Sequence, residues 1–259
     1  MNSSPVALIT GAGSGIGRAT ALRLARSGIA VALLGRTAAE LRKVEREVRE
    51  AGGEALAVTA DVSRASAIEK AVKRIRTRWG RLDIVVANAG INGLWAPLED
   101  LTPDEWDRTL NINLRGTYLT VRSALPLLKV RGGAVVVVSS VNGTRMFSNT
   151  GATAYATSKA GQLAFARMIA LELAPFHIRV NTVCPGAIET QIDDNTKTKH
   201  LDRVRTPMQF PKGQIPLSDG KPGTSAQVAE LIAFLTGSAA SHITGAEVFI
   251  DGAQSLLRG

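Results

Sequence analysis

The sequence predicts a single α/β domain, a doubly wound parallel sheet of about seven strands with helices on both faces. Three observations carry that prediction. Short apolar runs alternate with helical patterns along nearly the whole chain. Runs such as Val135-Val136-Val137-Val138 are apolar at every position, as in a strand buried on both faces. The first run, Val6–Ile9, leads at once into a glycine-rich turn and then into a helical pattern, giving a strand–turn–helix unit.

Strands are expected where β-branched and other apolar residues cluster: Val6–Ile9, Val31–Leu34, Leu56–Thr59, Ile84–Ala87, Ala134–Val138, Ile178–Val183 and Val248–Ile250. The helix after the first strand has Ala21, Leu22, Leu24 and Ala25 as its apolar face. The next begins at Thr37-x-x-Glu40, a capping-box pattern, buries Leu41, Val44 and Val48, and stops at Gly52-Gly53. A third carries Ile68, Val72, Ile75 and Trp79 at helical spacing. Thr102-Pro103-Asp104-Glu105 opens a further helix with proline at its first position. No linker divides the chain, so residues 1–259 are expected to form one dinucleotide-binding and catalytic domain. The polar, Pro- and Gly-rich stretch at about 187–222 is too long for a simple connection and reads as a substrate lid.

Composition narrows the function classes. The chain has 259 residues, 45% hydrophobic and 20% charged, enough to bury a sizeable core. No apolar run approaches the ~20 residues of a membrane span, and the N-terminal residues lack a basic-then-apolar signal pattern. One cysteine, Cys184, suits a reducing compartment, so a cytoplasmic protein is expected; its apolar strand setting makes it a packing residue. Three histidines, His177, His200 and His242, with no Cys/His cluster, argue against a metal site. The net charge of +9 draws on seven basic residues between Arg64 and Arg81 against one acid, Glu69. They share their helix with its apolar face, to which its one aromatic, Trp79, belongs, and no aromatics stand on the basic face to stack bases, so nucleic-acid binding is not expected.

The glycine turn, Thr10-Gly11-Ala12-Gly13-Ser14-Gly15-Ile16-Gly17, has the context a dinucleotide site needs. Glycines allow a tight turn and close approach of backbone to pyrophosphate, and the following helix N-terminus favours phosphate. The second strand ends Leu33-Leu34-Gly35-Arg36-Thr37 without the acid that would bond the ribose hydroxyl of NAD; Glu40 belongs to the expected capping box. Arg36 is placed to grip a 2′-phosphate, which predicts NADP, with NAD as the alternative.

Tyr155 and Lys159 stand four positions apart in Ala154-Tyr155-Ala156-Thr157-Ser158-Lys159, on one face of a helix. A tyrosine hydroxyl ordinarily titrates near pH ~10; a neighbouring lysine cation favours the phenolate and lowers that value. The pair therefore reads as a general acid/base directed at an oxygen atom.

Thr10-Gly11-x-x-x-Gly15-Ile16-Gly17, Asn88-Ala89-Gly90, Tyr155-x-x-x-Lys159 and Asn181-Thr182-Val183-Cys184-Pro185-Gly186, in that order and spacing, resemble the short-chain dehydrogenase/reductase family. The resemblance runs from Val6 to about Gly252. It implies a Rossmann fold and a hydride transfer between nicotinamide and a ketone or secondary alcohol. Gly11, Ser14, Gly15, Ile16 and Gly17 would cradle the cofactor, Asp61 and Val62 would touch the adenine, and Asn88, Ala89 and Gly90 would line its floor. Pro185, Gly186, Ile188 and Thr190 would meet the nicotinamide end. Lys159 would bond the nicotinamide ribose and Tyr155 would lie against the cofactor as it protonates the alkoxide. Ser140 would hold the substrate oxygen. Asn113 matches the asparagine that positions a proton-relay water, with Asn111 as its competitor. The family also implies a homotetramer, or a homodimer, built partly on the Tyr155 helix.

There is one departure. Relatives place the serine thirteen positions before the tyrosine, where this chain has Asn142; Ser140 lies fifteen before. Ser140 is preferred for its Ser-Ser-x-x-Gly setting at a strand end, which puts two extra residues in the loop Asn142–Ala154, near Gly143, Ser148, Asn149 and Gly151. The substrate, a small-molecule carbonyl or alcohol, is left open among a small ketone, a sugar and a 3-oxoacyl group. Met208, Phe210 and Ile215 of the lid, with Leu94 and Trp95, are candidate apolar walls. Between Ala187 and Pro222 six cations (Lys197, Lys199, Arg203, Arg205, Lys212 and Lys221) face five acids (Glu189, Asp193, Asp194, Asp202 and Asp219), too even a balance to mark an anionic substrate.

Overall fold

The computed structural model describes residues 4–147, 149–204 and 215–257, without the side chains of Asp193 and Asp194. Ser148, Arg205, Met208, Phe210 and Lys212 thus lie outside the described residues or their described side chains.

Seven strands form one sheet: β1 Val6–Thr10, β2 Ala30–Gly35, β3 Ala55–Thr59, β4 Ile84–Ala87, β5 Gly133–Val138, β6 Ile178–Pro185 and β7 Glu247–Ile250. Their order across the sheet is β7-β6-β5-β4-β1-β2-β3, every pair parallel. All seven expected strands are present, most of them lengthened by a residue or two at their ends. Seven helices join or flank them: α1 Gly15–Arg26, α2 Ala38–Glu50, α3 Ala65–Trp79, α4 Pro103–Leu110, α5 Gly116–Leu128, α6 Thr153–Leu173 and α7 Ser225–Thr236.

The apolar-at-every-position strands divide their side chains between two cores. Val135 and Val137 pack with Leu8, Val85 and the inward faces of α3, α5 and α6. Val136 and Val138 pack on the opposite face with Ile9, Val86 and the inner residues of α1, α2 and α7. This is the period-two consequence of a strand covered on both sides. The chain winds outward from β1 to β3 and then returns to β4 on the other side of β1. Between β1 and β4 the connections diverge, opening a crevice at the carboxyl ends of the strands.

The caps depart from expectation. Thr37 precedes α2 but makes no side-chain cap hydrogen bond, so the expected capping box is not formed. Its Glu40 is exposed instead, leaning over the glycine turn. Thr102 does accept the Glu105 N–H at 3.3 Å, with Pro103 at the first helical position. A complete capping box occurs at Thr224 and Gln227 ahead of α7, just past the 187–222 stretch.

The described parts of the 187–222 stretch carry regular structure. Ile188–Glu189 pairs with Gly223–Thr224, and Thr196–Thr198 pairs with Gly93–Trp95 in a second short parallel ladder. Asn92 Nδ2 donates to Thr196 Oγ1 at 2.7 Å. Asp100 anchors the next turn through Lys199 at 3.1 Å, His200 at 2.9 Å and Arg203 at 3.6 Å. Leu94 and Trp95 therefore carry the segment's backbone. Among the described residues, no helix is long and apolar enough to cross a membrane, and no group of three His, Cys, Asp or Glu could hold a metal ion.

Candidate active site

The glycine turn lies where the crevice requires it. Gly11 and Gly15 adopt φ of +65° and +48°, conformations that favour glycine. A Cβ on Gly17 would stand 2.1 Å from the Gly11 carbonyl, so the turn closes on itself only because position 17 is bare. Ser14 makes no side-chain cap bond to α1, leaving the first-turn N–H donors of that helix for a ligand.

A cleft of about 1150 Å³ runs from this turn along the carboxyl ends of the strands. Its walls include Gly11, Ser14 and Gly15 on one side, Arg36, Asp61 and Val62 at one end, and Ala89, Gly90 and Thr190 toward the other. Bare glycine backbone, free helix N–H groups and a long cleft fit a dinucleotide. Arg18, Lys43, Ile91 and Thr224 also line it and were not singled out in the sequence. Arg18 is the α1 residue directly after Gly17, and Glu47 ties it at 2.9 Å.

Burial alone would raise the Asp61 carboxyl; Ser63, whose N–H and Oγ donate at 2.9 and 2.8 Å, outweighs it, aided by the Arg36 and Arg64 charges. Asp61 is thereby held below the usual carboxylate range and stays anionic beside Arg36. Glu40 also lines the cleft, its Oε2 only 2.7 Å from where a Cβ on Gly13 would be. The assignment of Glu40 to a helix cap is thus corrected: the carboxylate faces the dinucleotide cleft.

Asn88 has a different task from its two neighbours. Ala89 and Gly90 line the cleft, whereas the Asn88 side chain turns back, Nδ2 donating to the Thr10 carbonyl at 2.9 Å. Thr10 answers by accepting the backbone N–H groups of Asn88 and Ala89, both at 3.0 Å. The Asn-Ala-Gly stretch at the end of β4 thus braces the glycine turn at the end of β1. Ile16, Gly17, Pro185, Gly186 and Ile188 stand behind or beyond the cleft lining, with Thr190 in it.

At the cleft's inner end Gly90 borders the acid/base groups. A Cβ there would come within 3.3 Å of Asn113 Oδ1 and 3.6 Å of Lys159 Nζ. Tyr155 and Lys159 occupy the first turns of α6 and face inward, 8% and 3% exposed. Lys159 Nζ donates to the Val138 carbonyl at 3.0 Å and lies 5.5 Å from the centre of the Tyr155 ring. Burial pushes the ammonium down from its ordinary 10.5 to about 8. Cys184 lies near enough to interact, but burial pushes its thiol up to about 12, so it is neutral at pH 7 and supplies no counter-charge. Cys184 is wholly buried in β6, as a packing residue should be.

Ser140, Asn142 and Gly143 form a tight turn after β5, against the same end of α6. Ser139 Oγ donates to the Lys159 carbonyl at 2.9 Å, and a Cβ on Gly143 would meet the Lys159 backbone at 2.8 Å. Ser140 Oγ accepts the Asn142 N–H at 3.2 Å and faces Asn142 Oδ1 at 3.3 Å. The two candidates for the serine position therefore share one turn, both 6% exposed.

Asn113 and Asn111 are separated plainly. Asn111 is exposed, while Asn113 is wholly buried. Residues 111–115 form a π-helical turn between α4 and α5, a widening that directs Asn113 inward. Its amide exchanges hydrogen bonds with the Ile91 backbone, both at 2.9 Å, and donates to Ser158 Oγ at 3.0 Å. Its backbone carbonyl accepts from Gln162 Nε2 at 2.9 Å, a partner not foreseen in the sequence.

The family model described as enoyl-(acyl carrier protein) reductase, a short-chain dehydrogenase/reductase model, matches residues 11–253. The chain belongs to the short-chain dehydrogenase/reductase family. Among its curated relatives, levodione reductase of Leifsonia aquatica is 37% identical over 254 residues, covering 96% of this chain and 94% of its own. A 3-oxoacyl-[acyl-carrier-protein] reductase of Thermotoga maritima is 36% identical over 248 residues, covering 95% and 96%. The solved structure of a 3-ketoacyl-ACP reductase from Sinorhizobium meliloti 1021 is 58% identical, with a TM-score of 0.95 over 98% of this chain and 100% of that one. A 3-ketoacyl-(acyl-carrier-protein) reductase from Brucella melitensis, complexed with NADH, is 34% identical with a TM-score of 0.85 over 97% and 98%. As a short-chain dehydrogenase/reductase, the protein is an NAD(P)-dependent oxidoreductase acting on ketone and alcohol groups.

Proposed function

We propose that the protein is an NADP(H)-dependent reductase of a 3-oxoacyl group, with Tyr155 as its general acid. The observation that carries the mechanism is the inward pairing of Tyr155 and Lys159 next to Gly90, which lines the dinucleotide cleft. The class of substrate is supported by the names of the 3-oxoacyl and 3-ketoacyl relatives, one of them 58% identical. A small ketone or a sugar is the competing class.

Gly11, Ser14, Gly15, Ile16 and Gly17 would hold the pyrophosphate, Asp61 and Val62 the adenosine, and Ala89 and Gly90 the floor. Pro185, Gly186, Ile188 and Thr190 would meet the nicotinamide end. A dinucleotide held there would supply the hydride. Tyr155 gives its phenolic proton to the substrate oxygen, and Ser140 donates a hydrogen bond that holds that oxygen and shares its developing charge. Lys159 keeps the phenol acidic and refills its proton, with Asn113 fixing the path beside it. In the oxidative direction the same groups act in reverse, the tyrosinate as base.

Arg36, exposed at the end of β2, grips the 2′-phosphate of NADP. Glu40 supports a second reading, NAD, because a carboxylate beside Gly13 suits ribose hydroxyls better than a phosphate. The 187–222 segment serves as the substrate lid, and the protein acts in the cytoplasm as a homotetramer or homodimer. The exposed Met168 and Leu171 on the outer face of α6 support such an assembly.

One experiment tests the core of this reading. NADPH and NADH oxidation is followed by absorbance with a 3-oxoacyl thioester, a cyclic ketone and a sugar, for the wild type, Arg36→Ala and Tyr155→Phe. The expected result is 3-oxoacyl reduction with NADPH, lowered by about three orders of magnitude in Tyr155→Phe and redirected toward NADH in Arg36→Ala. Near-normal turnover of Tyr155→Phe would refute the mechanism, and an NADH preference untouched by Arg36→Ala would refute the coenzyme assignment.

A further inference from the structure

After β7 the chain makes a tight turn that touches two segments far away in sequence. The Asp251 carboxylate winds it, accepting the N–H groups of Ala253 at 3.2 Å and Ser255 at 2.9 Å. Ala253 takes φ of +69°, a left-handed conformation that a residue with a Cβ adopts only where its surroundings impose it. The turn delivers Gln254, only 5% exposed, to the start of the segment leaving β6. There Gln254 Oε1 accepts the Ala187 N–H at 2.8 Å. Gly186 is pressed against the same turn: a Cβ on it would come 2.7 Å from both Gln254 Oε1 and Asp251 Cβ.

The turn also holds the far end of the segment. Leu217 N–H donates to the Gly252 carbonyl at 3.2 Å, and the buried Ile215 lies where a Cβ on Gly252 would meet it at 2.6 Å. Departure and return of the 187–222 stretch are thus fastened to one short piece of chain.

We propose that Gln254 is a positioning residue for the nicotinamide end of the cofactor, and that residues 251–255 are the clasp joining the Pro185–Ile188 loop to the Ile215–Leu217 turn on the returning side of the 187–222 segment. The inference rests on the proposed role of that loop. Its physical basis is the Ala187 N–H. With Gln254 in place the donor is paired and the loop has one position; without it the loop must move to find another partner. Hydride transfer depends on placement at well under an ångström, so a small displacement there costs rate while leaving the glycine turn and the adenosine end untouched.

The test compares Gln254→Ala with Gln254→Glu, which keeps an Oε acceptor. Two ligands are titrated: NADPH, by its dihydronicotinamide fluorescence, and 2′,5′-ADP, which has the adenosine half alone (5′-AMP replaces it if NADH is the coenzyme). Gln254→Ala is expected to weaken NADPH by about tenfold, to leave 2′,5′-ADP unchanged, and to slow single-turnover hydride transfer further. Gln254→Glu restores most of both losses. Equal weakening of the two ligands, or normal NADPH affinity and turnover in Gln254→Ala, overturns the proposal. Should Gln254→Ala not fold, Gln254→Asn makes the same comparison. A wild type that binds NADPH no better than 2′,5′-ADP would overturn the assigned role of the loop, and the clasp with it.

Discussion

Replacing Lys159 by methionine should make the cofactor-free protein more stable while abolishing its catalysis. The side chain is 3% exposed, and burial moves its ammonium from 10.5 to about 8. At ~1.4 kcal/mol for each pH unit of displacement, keeping that charge inside costs about 3 kcal/mol at pH 7. Methionine removes the cost but leaves the Val138 carbonyl, 3.0 Å away, without its donor, a loss of about 1 kcal/mol. The net gain is about 2 kcal/mol, or about 4–8 °C in Tm for a chain of this size. The sign of the pH dependence follows from a depressed amine: between the folded value and 10.5 the unfolded chain binds the extra proton. Wild-type stability therefore rises with pH across that window, and the advantage of Lys159→Met shrinks to near zero by about pH 9.5. Urea unfolding of both proteins at pH 7 and 9.5, followed by circular dichroism, measures the gap. A variant less stable than wild type at pH 7, or a gap that does not change with pH, would refute the burial argument.

Two further substitutions probe the site. Ser140→Ala should lower turnover by about a hundredfold or more with little change in NADPH affinity, whereas Asn142→Ala should cost less; steady-state kinetics in which Asn142→Ala is the worse variant would move the oxygen-holding role to position 142. Gly17→Ala should weaken NADPH at least about tenfold, although alanine favours helix α1 by ~1 kcal/mol, because its Cβ would stand 2.1 Å from the Gly11 carbonyl. Unchanged affinity in a fluorescence titration would show that the turn can open without harm.

Much of the fold was legible because its signals are local. Each of the seven strands is a run of β-branched or apolar residues, and the glycine turn and the Tyr155–Lys159 spacing each span eight residues or fewer. The cap at Thr37 was misread for an equally physical reason. The pattern permits a box, but the carboxylate of Glu40 is better hydrated at the cleft edge, beside a glycine that leaves room for it. The resemblance already favours Asn113 over Asn111; what the structure adds is that the π-helical turn buries Asn113 and leaves Asn111 exposed.

The sequence by itself determined the strand and helix succession, the phosphate-binding turn and the acid/base pair, since periodicity, glycine conformation and helical spacing act over a turn or two. Tertiary structure decided which groups meet across the sheet. Asn88 braces a turn 78 positions earlier, Gln162 reaches Asn113 across 49, and Gln254 fixes Ala187 across 67. Such contacts depend on strand order, because parallel strands bring all their carboxyl ends to one edge whatever their separation along the chain. Burial of Lys159 belongs with them: no local pattern states that an ammonium will lie only 3% exposed, and that burial is the main cause of its lowered pKa.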